Sequence, residues 1–99
     1  MSSALYAIYG ASGCGRGVMP LARDQLRRQC IPCDRLVFVD DNPESALVNN
    51  QRVMRYAEFI AVEATARFAV LAVANSAIRE RLADRCAADR VQPWTVIAA

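Results

Sequence analysis

All four glycines of the chain fall in one stretch, Tyr9-Gly10-Ala11-Ser12-Gly13-Cys14-Gly15-Arg16-Gly17, where an apolar run gives way to an amphipathic pattern. Residues of this type in this place can hold an anion. Glycine takes positive φ and presents no Cβ, so amides unpaired at a helix start can point at a phosphate. Asp40 and Asp41 close a second apolar run, and Asn75-Ser76 close a third. If these runs are parallel strands, their carboxyl ends lie together, where an open α/β sheet places its ligand crevice. Asp41-Asn42-Pro43 also reads as a plain turn. Arg16 and Arg79 stand in the first turns of the helices expected after the first and third runs, where a cation opposes the positive end of the helix dipole. A bound anion would reverse that penalty; otherwise both are solvated surface arginines.

The elements that position these residues follow from the pattern. Leu5 to Tyr9 is nearly all apolar, as a central parallel strand buried on both faces must be. The helix after it places Val18, Leu21, Ala22 and Leu26 inward, and Pro20 argues that it begins near Gly17 or opens irregularly. Arg35 to Val39 forms a second strand. Val48 to Val53 reads as a small hairpin turning at Asn49-Asn50, and Tyr56 to Val62 as a short helix that covers the sheet edge. Phe68 to Ala74 is the third main strand. Asn75 or Ser76 then caps a helix with Ile78, Leu82 and Cys86 inward and Arg81, Asp84 and Arg85 outward. Trp94 to Ala99 is a last short strand, and an end at an apolar strand suggests one domain, residues 1–99, cut from a longer polypeptide. The order gives an α/β fold: a Rossmann-like three-layer domain with a mostly parallel sheet and a small hairpin after the second strand.

Composition narrows the chemistry. Ninety-nine residues, 55% of them hydrophobic, suit one folded domain with one modest core. The basic residues are all arginine and are scattered, with a net charge of +2, which argues against a nucleic-acid surface. There is no histidine, so the commonest general base and zinc ligand are missing, and no catalytic or metal-binding residue is expected within the chain. Cys30-Ile31-Pro32-Cys33 has the spacing of a redox or half-zinc motif, but it follows a helix rather than opening one, and two ordinary loop cysteines are expected. Met1 to Leu5 lacks a signal-peptide pattern, and no run approaches the ~18 apolar residues of a membrane span. A cytoplasmic chain with reduced thiols is expected.

The stretches Tyr9-Gly10-Ala11-Ser12-Gly13-x-Gly15-Arg16, Val37-Phe38-Val39-Asp40-Asp41, Val48 to Val53 with Tyr56-Ala57-Glu58-Phe59, and Ala72 to Arg79 resemble the amino-terminal domain of bacterial sugar acetyltransferases of the PglD and NeuD type. The resemblance covers nearly the whole chain. It implies a Rossmann-like domain that binds a UDP-linked amino sugar for surface glycan synthesis. A carboxyl-terminal left-handed β-helix, which forms the family trimer, would bind acetyl-CoA and supply the catalytic histidine, so this chain alone would bind and not catalyse. It implies that Ser12, Gly13, Arg16, Asp40 and Asp41 hold the nucleotide sugar, beside Gly10, Cys14, Gly15, Asn75 and Arg79 of the same crevice. The family commonly has histidine where Cys14 stands; Cys14 is then either a thiol of lowered pKa at a helix start or an inert small side chain. Pro20 and Asn49-Asn50 replace a helix former and a glycine. Two rivals are an NAD(P)-binding domain of an oxidoreductase or redox sensor, with Asp40 on the adenosine ribose, and an interaction module without a ligand. The glycine spacing differs from G-x-G-x-x-G and disfavours the first.

Overall fold

A computed structural model describes residues 4–10, 13–41, 47–48 and 51–96. Strand β1 (Leu5–Tyr9) leads into helix α1 (Gly13–Arg28), a 3-10 turn over Cys33–Arg35 and strand β2 (Leu36–Val39). The hairpin β3 (Leu47–Val48) and β4 (Gln51–Met54) precedes helix α2 (Tyr56–Ala61), strand β5 (Arg67–Leu71), helix α3 (Ser76–Ala88) and strand β6 (Val91–Pro93). The sheet runs β3-β4-β2-β1-β5-β6. Every pairing in it is parallel except β3 with β4. The α/β class, the parallel sheet and the hairpin after the second main strand are as the sequence predicts, while the hairpin turn at Asn49-Asn50 lies outside the described residues.

Alternation along the strands splits the core in two. Leu5, Ala7 and Tyr9 of β1, with Val37 and Val39 of β2, face α2 and α3. Ile8, Leu36, Phe38 and Val53 face α1, which contributes Met19, Ala22 and Leu26. Both faces of β1 and β2 are thus buried, which is why their sequences carry no polar alternation. The short helix α2 does more than cover an edge: Tyr56 and Phe59 are buried within the first cluster. Its carboxyl end is held by Arg67, whose guanidinium donates to the carbonyls of Phe59, Ile60 and Val62.

Several expected details are corrected. Helix α1 starts at Gly13 and runs through Pro20, which is exposed. The missing proline donor is outweighed by burial of the opposite face. Met19, not Leu21, belongs to that face: Met19 and Leu26 are seven residues apart and about 20° in rotation, whereas Leu21 lies about 140° from Leu26 and is 41% exposed. The same drift places Ile78 about 80° from Cys86, and it too is 41% exposed. The third main strand ends at Leu71 rather than Ala74. The last strand is Val91–Pro93, not Trp94 onward. The Trp94 amide makes one more bond to β5, to the Ala69 carbonyl at 3.0 Å, while the Trp94 and Val96 side chains pack on the α1 side, with the Trp94 ring 4.9 Å from that of Tyr6. Ile97 to Ala99 lie outside the described residues.

With no glycine available beyond Gly17, both long helices stop on ordinary residues in the left-handed region: Cys30 (φ 58°) after α1 and Arg90 (φ 61°) after α3. The Ile31 amide returns to the Leu26 carbonyl at 2.9 Å, and Ile31 packs on the α1 cluster, which makes a Schellman ending. Cys30 therefore serves as a helix stop, exposed and unbridged.

Candidate functional site

The parallel strands run β4-β2-β1-β5-β6, so the connection order reverses between β1 and β5. Helix α1 leaves β1 toward one face and α3 leaves β5 toward the other. A crevice therefore opens above the carboxyl ends of these two strands, the topological switch point at which such sheets bind ligands.

Two glycines are required to build it. Gly10, with φ +113°, donates its amide to the Val39 carbonyl at 2.7 Å, and a Cβ there would stand 2.8 Å from the Ala72 carbonyl oxygen. A Cβ on Gly15 would stand 1.8 Å from the Gly10 carbonyl oxygen, so its absence lets α1 lie hard against the end of β1. Gly17 has open space around it. The close contacts made by Gly10 and Gly15 bring the first turn of α1, beginning at Gly13, to the strand ends, and the first amides of a helix have no partner within it. Ser12 and the side chain of Cys14 lie outside the described residues. Arg16 is exposed on this turn.

The other expected residues fall on the same rim, with distinct engagements. Asp40 follows β2, half-buried, its amide bonded to the Met54 carbonyl at 2.9 Å. Asn75 caps α3, its Oδ1 accepting the Ile78 amide at 3.0 Å. Arg79 is exposed and donates to the Val73 carbonyl at 3.2 Å, folding back over the loop between β5 and α3.

Asp41 is gripped by the protein itself. Its Oδ2 accepts from the Tyr9 hydroxyl at 2.8 Å and from Arg85 Nη1 at 2.8 Å, and its Oδ1 from the Tyr56 amide at 3.3 Å. Arg85 also donates to the Tyr9 hydroxyl at 2.8 Å, and its guanidinium lies 4.8 Å from the centre of the Tyr56 ring. The Tyr56 hydroxyl donates to Asp89 at 2.7 Å. Burial alone would raise the Asp41 carboxyl, but the hydrogen bonds from Tyr9, Arg85 and the Tyr56 amide and the charge of Arg85 outweigh it and hold the group below its ordinary value. Burial, reinforced by the bond to Asp41, pushes the Tyr9 hydroxyl well above the usual tyrosine range, and burial with the Asp89 bond does the same to Tyr56. The buried Cys86 thiol is likewise raised by desolvation, so it is not an activated nucleophile. Among the described residues no cluster of cysteine or carboxylate side chains could hold a metal ion. A groove of about 220 Å³ lies elsewhere, between α3 and β5–β6; its lining, Ala83, Cys86, Ala87 and Pro93 among others, is almost wholly apolar and offers nothing to a charged ligand.

No protein-family model matches the chain. GDP-perosamine N-acetyltransferase of Escherichia coli O157:H7 is 32% identical over 92 residues, covering 93% of this chain and 42% of that protein. The solved structure of WeeI from Acinetobacter baumannii AYE superposes with a TM-score of 0.91 at 33% identity, covering 98% of this chain and 45% of that one. Over nearly its whole length the chain is thus similar to part of a sugar acetyltransferase, in line with the resemblance to the PglD and NeuD type. It spans less than half the length of either relative.

Sequence reasoning placed the glycine mouth of this domain at the carboxyl ends of the strands but missed the cluster beneath Asp41. Arg85, expected to face solvent, turns in to Tyr9 and Asp41. A signal was present: Tyr9 and Tyr56 sit at apolar positions, and buried tyrosine hydroxyls require partners. What hid the answer is that Tyr9 and Arg85 are 76 residues apart and meet only once the sheet is assembled.

Proposed function

We propose that this domain holds a nucleoside-diphosphate amino sugar for a sugar acetyltransferase of surface glycan synthesis. The diphosphate lies over the first turn of α1, and the ribose or sugar hydroxyls lie toward Asp40. Asn75, Ser76 and Arg79 lie along the same rim, on the β5 side of the mouth. The observation that carries this reading is the pair of obligatory glycine contacts, Gly10 on Ala72 and Gly15 on Gly10, which spend conformational freedom to open a helix mouth at the switch point.

The sequence resemblance points to a UDP-linked sugar, whereas the name of the enteric relative carries a GDP-linked one. The glycine mouth contacts the diphosphate that both share. The resemblance implies that the histidine which takes a proton from the attacking sugar amine or hydroxyl, and the site for acetyl-CoA, belong to the remainder of a longer protein, and this chain holds no histidine of its own. That remainder is the β-helix domain with its trimer contacts, and the whole works in the cytoplasm. No helix among the described residues is long and apolar enough to cross a membrane.

Thermal unfolding of the domain tests the reading. UDP-sugars or GDP-sugars raise the midpoint in proportion to ligand concentration over its dissociation constant. A shift with NAD and none with any nucleotide sugar would overturn it in favour of a dinucleotide domain. Replacing Gly13 with valine abolishes the ligand response; an interaction module would show no such response to lose.

A further inference from the structure

We infer that Asp41 is a positioning residue: with Tyr9 and Arg85 it forms a clasp that ties the ends of β1 and β2 to α2 and α3 and so fixes the rim that carries Asp40. The inference rests on the nucleotide-sugar reading of the crevice and changes the part Asp41 plays in it.

Both oxygens of Asp41 are already occupied, by donors from three separate elements: the Tyr9 hydroxyl of β1, the Tyr56 amide that opens α2, and Arg85 of α3. The bonding is mutually consistent, because Tyr9 donates its one proton to Asp41 and accepts from Arg85. Two stitches then hold the strand-end segments together, Asp40 amide to Met54 carbonyl at 2.9 Å and Tyr56 amide to Asp41 at 3.3 Å. An unpaired carboxylate at this rim would also repel a diphosphate. Arg85 cancels that charge, so Asp41 can sit near an anionic ligand without opposing it. Three donors of the protein itself thus draw on the roughly four acceptor sites of the Asp41 carboxylate, so most of its bonding capacity serves the clasp.

Titration calorimetry with UDP and GDP on the purified chain and on Asp41→Asn, Arg85→Gln and the double variant tests the clasp. Each single substitution is expected to weaken binding roughly two- to fivefold, the range of a half-exposed charged contact. The double variant is expected to be no weaker than the worse single one, because both remove the same device. Arg85→Lys, which keeps the charge but not the planar fork that also serves Tyr9 and covers Tyr56, is expected to fall between wild type and Arg85→Gln. Thermal unfolding without ligand confirms that each variant is folded. If Asp41→Asn loses affinity while Arg85→Gln keeps or gains it, Asp41 touches the ligand and the clasp is wrong. Unchanged affinity in both singles also overturns it and leaves the binding reading intact. A wild-type chain that binds neither nucleotide overturns both.

Discussion

Glycine at position 15 is there for contact and glycine at 17 is not. Alanine at 15 would drive a Cβ into the Gly10 carbonyl, backbone against backbone, so Gly15→Ala is expected to cost about 3 kcal/mol or more in chemical denaturation. Gly17→Ala meets open space within the same helix and is expected to stabilise by about 0.5–1 kcal/mol. Equal effects at the two positions would contradict the packing described for the helix mouth. Asp41 gives a prediction in pH. Its carboxyl is held below the unfolded value of about 3.9, so it adds stability above that range and loses it as pH falls through the depressed folded value. The side chain is 51% exposed, so screening limits the contribution to about 1 kcal/mol. Urea denaturation is expected to show Asp41→Asn less stable than wild type at neutral pH, with the gap closing in acid; a gap that persists in acid would place the contribution elsewhere. The sequence exposes Gly10 and Gly15 as members of one glycine-rich strand-to-helix stretch, because that pattern is local. It does not expose the partners of Asp41, which are assembled from residues far apart in the chain.

Among the elements, the helix ends carry the most informative energetics. A left-handed residue with a side chain costs about 1 kcal/mol relative to glycine, and α1 and α3 both end on one. Cys30→Gly is therefore expected to raise stability by about 0.5–1 kcal/mol, measured by urea denaturation under reducing conditions, with no change in ligand affinity. A loss of stability would mean that the thiol does more than close the helix. The elements themselves are legible where the pattern is long: β1 and β2 from unbroken apolar runs, α1 and α3 from helical periodicity. Errors arose where two rules competed. Pro20 argues for a helix that begins near Gly17 or opens irregularly, whereas α1 starts at Gly13, and the run Trp94 to Ala99 reads as a strand, whereas the strand ends at Pro93 and the Trp94 and Val96 side chains turn over the α1 side. Helical drift accounts for Leu21 and Ile78, since residues four or five apart do not stay on one line.

For the whole molecule, the strand order places the glycine mouth, Asp40 and the start of α3 along one rim, while β6, β3 and the apolar groove lie away from it. The mostly parallel sheet with helices on both faces is foreseeable, because right-handed crossovers leave few arrangements for this succession of elements. The identity of the sugar was not foreseeable, since it depends on contacts that no spacing encodes. The most direct measurement is an amide chemical-shift titration of the nitrogen-labelled chain with UDP and with GDP. The account predicts saturable shifts at Gly10, Gly13 to Arg16, Asp40 and Asn75 to Arg79, with little change along α3 from Ala83 to Ala88. Shifts concentrated in the groove between α3 and β6, or none at the glycine mouth at saturating nucleotide, would contradict it.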